Sequence, residues 1–316
     1  VNNALRIHRV RCRREYGRGA LYFWFAATTA LDLQRLPDFI RVEPELELSA
    51  SRKWGGVRLD GDIRPDTDYT LTFLRGLPAR NGHALPADLK RRVHTPDLRP
   101  DVAFGCDGVY LAAEHKKLVL PLRTVNVDQV RVQVQRVYAN NVLTVLRDGR
   151  GRNLPRHAGP ARVERTLKTV SPRNRPLTTT VDLEKLLDGR PRGVFLVAAA
   201  DADRRWRRDV QLVMITNLGL TVHRTPHAVL VWANSLDDMQ PAAGVEVTVH
   251  SRANQRLRRG TTDADGLVCF DGLAADGDEQ PYAVTAEHGD DFAFLSIEHG
   301  ALHLEDLDLA GRDFVR

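Results

Sequence analysis

The hydrophobic positions of this chain recur with a period of two. Val130-Arg131-Val132-Gln133-Val134-Gln135-Arg136-Val137 alternates apolar and polar almost residue by residue, as a strand with one face on a core and the other in water must. Leu21-Tyr22-Phe23-Trp24-Phe25, Tyr69-Thr70-Leu71-Thr72-Phe73-Leu74 and Val245-Glu246-Val247-Thr248-Val249 also read as strands. Val194-Phe195-Leu196-Val197, the run 210–215 and Val229-Leu230-Val231-Trp232 are apolar throughout. Such runs belong nearer the middle of a sheet. Helical spacing is confined to 31–39 and to 180–187, the latter closed by Asp188-Gly189. The pattern predicts an all-β chain of antiparallel sandwiches, with turn signals spaced as in immunoglobulin-like domains.

One short stretch offers a choice between chemistry and architecture. Asp263-Ala264-Asp265-Gly266 looks like the start of a calcium loop, but Leu267 stands at the third ligand position, the glycine comes too early and no Glu closes the loop. The alternative is a tight turn, because Gly accepts positive φ and Asp caps its own backbone. The stretch is therefore read as strand, hairpin turn, strand, with Leu267-Val268-Cys269-Phe270 as the second strand.

Punctuation divides the chain. Thr95-Pro96-Asp97-Leu98-Arg99-Pro100 carries two prolines after a polar stretch, which marks a linker. Asn217-Leu218-Gly219-Leu220 separates two strand-like runs. These cuts give sandwich domains at 1–98, 99–217 and 218–316, the second carrying a basic, proline-containing loop or insertion at 147–176.

At 316 residues, 42% hydrophobic and 28% charged, the chain can bury several cores and is not a disordered polymer. No apolar run approaches the roughly 20 residues that a membrane helix requires. VNNALRIHRVRC at the start lacks the apolar core of a signal peptide, so either a mature protein starts here or, as is expected, the chain is a piece of something longer. The net charge of +5 raises nucleic acid as a partner. The basic clusters at 147–175 and 204–208 contain only Trp206 among aromatics, whereas single-strand binders interleave several stacking rings. No nucleic-acid partner is expected, and the clusters are read as solvated loops.

Candidate chemistry is sparse. Cys12, Cys106 and Cys269 form no C-x-x-C, which removes zinc and thioredoxin-like readings; Cys269 is read as a small buried hydrophobe. Glu298-His299 and His303, with His288 upstream, miss the H-E-x-x-H order and are read as surface histidines. Asp290-Asp291 after Gly289 reads as a turn before the strand Phe292-Ala293-Phe294-Leu295. Nucleophile elbows and phosphate-cradling glycine loops are absent from the sequence. No catalytic, cofactor-binding or metal-binding residue is assigned, no cofactor is expected, and the chain is not read as an enzyme.

The order and spacing of several segments carry a resemblance. Leu218-Gly219-Leu220, Val231-Trp232-Ala233-Asn234-Ser235-Leu236, Gly244-Val245-Glu246-Val247, Thr261-Thr262-Asp263-Ala264-Asp265-Gly266 and Gly289-Asp290-Asp291-Phe292 follow one another as in the N-terminal half of bacterial alpha-2-macroglobulins. In the first block, Ala30-Leu31-Asp32-Leu33, Ile40-Arg41-Val42-Glu43-Pro44 and Tyr69-Thr70-Leu71 resemble the membrane-proximal sandwiches of that family. The likeness is weakest across 147–192.

The resemblance implies tandem macroglobulin-like sandwiches in a periplasmic protease inhibitor, commonly a lipoprotein of the inner membrane of Gram-negative bacteria. A bait segment is cut, the molecule collapses on the protease, and many members couple to it through a thioester in Cys-x-Glu-Gln. None of Cys12, Cys106 and Cys269 stands in that motif, and no segment resembles a bait. The chain is therefore expected to be a monomeric scaffold fragment that does not inhibit alone. Its partners are proteases met through the full-length protein and other macroglobulin-like domains; a membrane anchor would lie outside it. A competing reading is an immunoglobulin-like adhesin or envelope binding module with Trp54 or Trp206 as contact residues.

Overall fold

In the computed structural model, the described residues are 5–15, 20–105, 109–112, 117–148, 158–159, 161–189, 191–204, 208–274 and 276–297. The chain divides into two compact units, 1–100 with 171–176, and 101–170 with 177–316. The fold is a series of immunoglobulin-like sandwiches of mostly antiparallel sheets.

In the first unit the strands are β1 (Ile7–Arg14), β2 (Leu21–Ala27), β3 (Ile40–Glu43), β4 (Ser49–Lys53), β5 (Gly56–Asp60), β6 (Asp68–Phe73) and β7 (Leu89–His94). They form one sheet in the order β1-β2-β5-β4 and a second in the order β3-β6-β7. Alternate residues of β2 and β6 meet between the sheets: Phe23 packs edge-on against Tyr69 at 5.4 Å and Phe25 against Phe73 at 5.0 Å. These edge-to-face contacts add to the burial of large rings at the centre of the core. Residues 171–176 join this unit, where the Arg173 guanidinium grips both carboxylate oxygens of Asp97 at 3.0 Å.

The second unit begins with β8 (Asp101–Phe104), β9 (Val109–Ala112), β10 (Val119–Val125), β11 (Gln129–Val137), α1 (Val142–Asp148), β12 (Ala161–Lys168), β13 (Pro176–Asp182), α2 (Leu183–Leu187), β14 (Gly193–Asp201) and β15 (Arg208–Ile215). A sheet β13-β10-β8 faces a sheet β12-β11-β14-β15-β9, in which β9 runs parallel to β15. It continues with β16 (Leu218–Arg224), β17 (Ala228–Ser235), β18 (Glu246–Ser251), β19 (Arg256–Thr261), β20 (Leu267–Asp271), β21 (Pro281–His288) and β22 (Asp291–Ser296). These form the sheets β16-β17-β20 and β19-β18-β21-β22.

The continuously apolar run in β14 has a specific cause. Phe195, Val197 and Ala199 point into the core shared with β10 and β11. Val194 and Leu196 point the other way, into a core with Val229, Val247, Val284 and Phe294 of the following sandwich. Buried on both faces, β14 has no polar alternation. That second core also takes in Val142 and Val145 of α1, a helix that the period-two reading does not anticipate.

Three expectations need correction. The 31–39 helix is reduced to a single 3₁₀ turn, Leu36–Phe39, because the Asp32 carboxylate captures the Gln34 N–H at 3.1 Å and Pro37 removes a donor. The 180–187 helix starts only at Leu183: Thr178 to Val181 are all β-branched and continue a strand, and the Asp182 side chain accepts from Lys185 N at 3.1 Å as the N-cap. The 147–176 stretch is not simply a loop. Residues 161–168 form edge strand β12, paired with β11 from Gln129↔Lys168 to Gln135↔Ala161, its charges lying where an edge meets water. Residues 149–157 and 160 lie outside the described residues.

Candidate functional site

The Asp263 motif is a turn. Asp263 Oδ1 accepts the N–H of Asp265 at 3.0 Å and of Leu267 at 2.9 Å, and Gly266 sits at φ +73°. A Cβ on Gly266 would collide with the Ala233 carbonyl oxygen, so this position needs glycine for space as well as for φ. The hairpin expectation is corrected. β19 pairs with β18 and β20 pairs with β17, so the turn carries the chain from one sheet of the sandwich to the other. Local hydrogen bonds specify the reversal, whereas the buried face of each strand decides which sheet it joins.

Asp290 and Asp291 divide into unequal roles. Asp290 is exposed and pairs with Arg192 at 3.0 Å. Asp291 is buried, accepting from Thr216 Oγ1 at 2.5 Å and Asn217 N at 2.8 Å, which ties the end of β15 to the start of β22. This is structural work rather than paired-carboxylate chemistry. Among the described residues no group of three or more His, Cys, Asp or Glu is placed to hold a metal. Glu298, His299, His303, Trp206 and Cys106 lie outside the described residues, as do Arg150, Arg152 and Arg156.

The cysteine expectation is corrected too. Cys269 is exposed, because β20 turns Phe270 inward and period-two geometry sends its neighbour out. Cys12 is the half-buried one, packed at the margin of the first core, and burial pushes its thiol up to about 11 against the opposing pull of Arg14.

What remains are two sheet faces. On the solvent side of β16-β17-β20, the partners Thr221↔Trp232↔Leu267 and His223↔Leu230↔Cys269 lie side by side. Leu230 and Trp232 stay 39% and 38% exposed.

The other face was not singled out by the sequence clusters. β1 and β4 are far apart in the chain yet form the two edges of one sheet. Between them they carry Arg9, Arg11, Arg13, Arg14, Arg52 and Lys53 and no acid; Arg11, Arg13 and Lys53 share the outward side with Tyr22 and Trp24, whereas Arg14 and Arg52 pair with the core residues Leu21 and Val57. Cross-strand rows Arg11↔Trp24↔Arg58↔Ser51 and Arg13↔Tyr22 run across it. Tyr22 and Trp24 are buried beneath the cations: Arg13 lies 4.5 Å over the Trp24 ring and Arg58 4.3 Å over Tyr22. Arg58 also grips Glu15 at 2.8 Å and Asp60 at 2.6 Å, hydrogen bonds that raise its pKa further. Trp24 Nε1 donates to the Lys53 carbonyl at 3.0 Å, and a Cβ on Gly56 would lie 2.6 Å from its ring. Neither basic strand was picked out by the sequence reading, and only the topology places them together.

This architecture of serial sandwiches has relatives. Residues 215–314 match the family described as the bacterial alpha-2-macroglobulin MG3 domain. The chain is 23% identical over 306 residues to alpha-2-macroglobulin of Escherichia coli strain K12, covering 90% of this chain and 18% of that protein. A crystal structure of native E. coli alpha-2-macroglobulin spanning domains MG0-NIE-MG1 superposes with a TM-score of 0.57 at 19% identity, covering 94% of this chain and 97% of the other. A Salmonella alpha-2-macroglobulin mutant, Y1175G, superposes with a TM-score of 0.70 at 18% identity, covering 98% of this chain and 19% of that one. The chain resembles bacterial alpha-2-macroglobulins along most of its length, and it spans less than a fifth of the curated relative.

Proposed function

We propose that this chain is the scaffold portion of a bacterial alpha-2-macroglobulin-like protease inhibitor, arranged as sandwich modules at 1–98, 99–217 and 218–316. The observation that carries the reading is the collinear match to alpha-2-macroglobulin over 90% of the chain, together with the MG3 match at 215–314. Its own role is then mechanical: it holds the modules in register and contributes surface to the trap. The proteases are met by the whole protein, in the periplasm or elsewhere in the envelope of a Gram-negative cell.

The test is to read the coding sequence on both sides of residues 1–316 and to assay the complete product with a trypsin-like protease. The reading predicts further sandwich modules and a cleavable segment. It also predicts that bound protease still cuts a small peptide while losing activity on a large protein. A reading frame confined to these residues, or full activity on the large substrate, contradicts it.

A further inference from the structure

The two-residue connection between β4 and β5 is Trp54-Gly55, with both residues at positive φ, +46° and +69°, and Lys53 pairs with Gly56 across it. This is the geometry of a type I′ hairpin, whose first position favours Asn, Asp or Gly. A bulky side chain there carries backbone strain of order 1 kcal/mol. Such strain persists where it serves something, and here the ring is 73% exposed at the hairpin tip. The Lys53 ammonium lies 4.8 Å over it.

The tip belongs to the cationic sheet. His8 lies opposite Ala26 at this end, Arg9 is exposed at the β1 bulge, and Arg52 is exposed at the sheet edge on the side of its partner Val57, opposite to Lys53. The acids nearest in the sheet, Glu15 and Asp60, are engaged by Arg58. Lys53 also reaches Glu15 at 3.8 Å, so the surface combines one protruding indole with a partly neutralised Lys53 and the exposed Arg9 and Arg52.

We infer that this hairpin docks on an anionic lipid surface, Trp54 entering the headgroup region and Arg52, Lys53 and Arg9 resting on the phosphates. Tryptophan concentrates at membrane interfaces because its ring is apolar with a polar edge, and cations beside it add attraction to a negative leaflet. Single-stranded nucleic acid fits less well. It needs successive stacking rings, and Tyr22 and Trp24 are sealed beneath the cations at 2% and 7% exposure.

The test is co-sedimentation of the 316-residue protein with vesicles of phosphatidylglycerol and phosphatidylethanolamine, against vesicles of phosphatidylcholine. The expected result is binding to the anionic vesicles alone, weakened by salt. Arg52→Gln and Lys53→Gln should each lower the partition coefficient about 5-fold. Trp54→Asn is the decisive variant: asparagine suits the turn, so the melting temperature should hold or rise while binding falls about 10-fold. Vesicle binding unchanged in Trp54→Asn overturns the inference. So does equal binding to both vesicle types, or tighter binding to a single-stranded oligonucleotide that the same substitution weakens.

Discussion

Strands β2 and β14 look alike in sequence, LYFWFAA and GVFLVAAAD, and both are buried along most of their length. Their covers differ. The outward side of β14 is sealed by hydrocarbon, with Val194 and Leu196 continuous with the core of the following sandwich. On β2 the outward side is sealed by cations: Tyr22 and Trp24 lie under Arg13, Lys53 and Arg58. Long basic side chains bury their stems along apolar surface and keep their charge wet. A third strand, β17, has the same apolar run, yet Leu230 and Trp232 remain partly exposed. A continuous apolar strand therefore announces that both faces are apolar, without saying what covers them.

The contrast can be broken by substitution. Leu196→Ala should have the largest effect, about 2–5 kcal/mol, because it opens a cavity in the core shared by two sandwiches; chemical denaturation followed by circular dichroism will measure it. Arg58→Ala should cost about 1.5–3 kcal/mol, since it uncovers Tyr22 and leaves Glu15 and Asp60 without their guanidinium. That loss should appear in the unfolding of the first unit only.

A pH effect belongs to the second unit. Burial, reinforced by nearby Arg256, lowers the His250 pKa from 6.5. The unfolded chain therefore takes up the proton first as pH falls. This stability is fully present above about pH 6.5 and is lost as pH drops toward the lower folded value. Melting temperatures between pH 7.5 and 5 should decline in the native protein and decline less in His250→Gln. Trp232→Thr should have the smallest effect, within about 0.5 kcal/mol, because its face is half open already; a larger loss would mean that the face is covered.

Much of this was legible in the sequence. The run Val130 to Val137 gave β11 directly, and Asp263 to Gly266 gave the turn, because each rests on interactions within a few residues. The destination of that turn, the pairing of β12 and the cationic sheet were not legible. β12 is an edge strand whose Arg165, Glu164 and Lys168 look like loop residues until Val163 and Leu167 are seen against the core. The basic sheet depends on β1 and β4 becoming edges of one sheet, a fact of topology rather than of local pattern. Cys269 was misplaced for a related reason: strand membership was clear, but the side facing the core was not.

The most direct test of the shared core is native-state hydrogen exchange, read by mass spectrometry, on the native protein and on Leu196→Ala. If β14 is held on both sides as described, the substitution will speed exchange in β14 and also in β18 and β21 of the following sandwich, leaving β2 and β6 unchanged. Faster exchange confined to β8–β15, with β18 and β21 unaffected, would contradict the shared core.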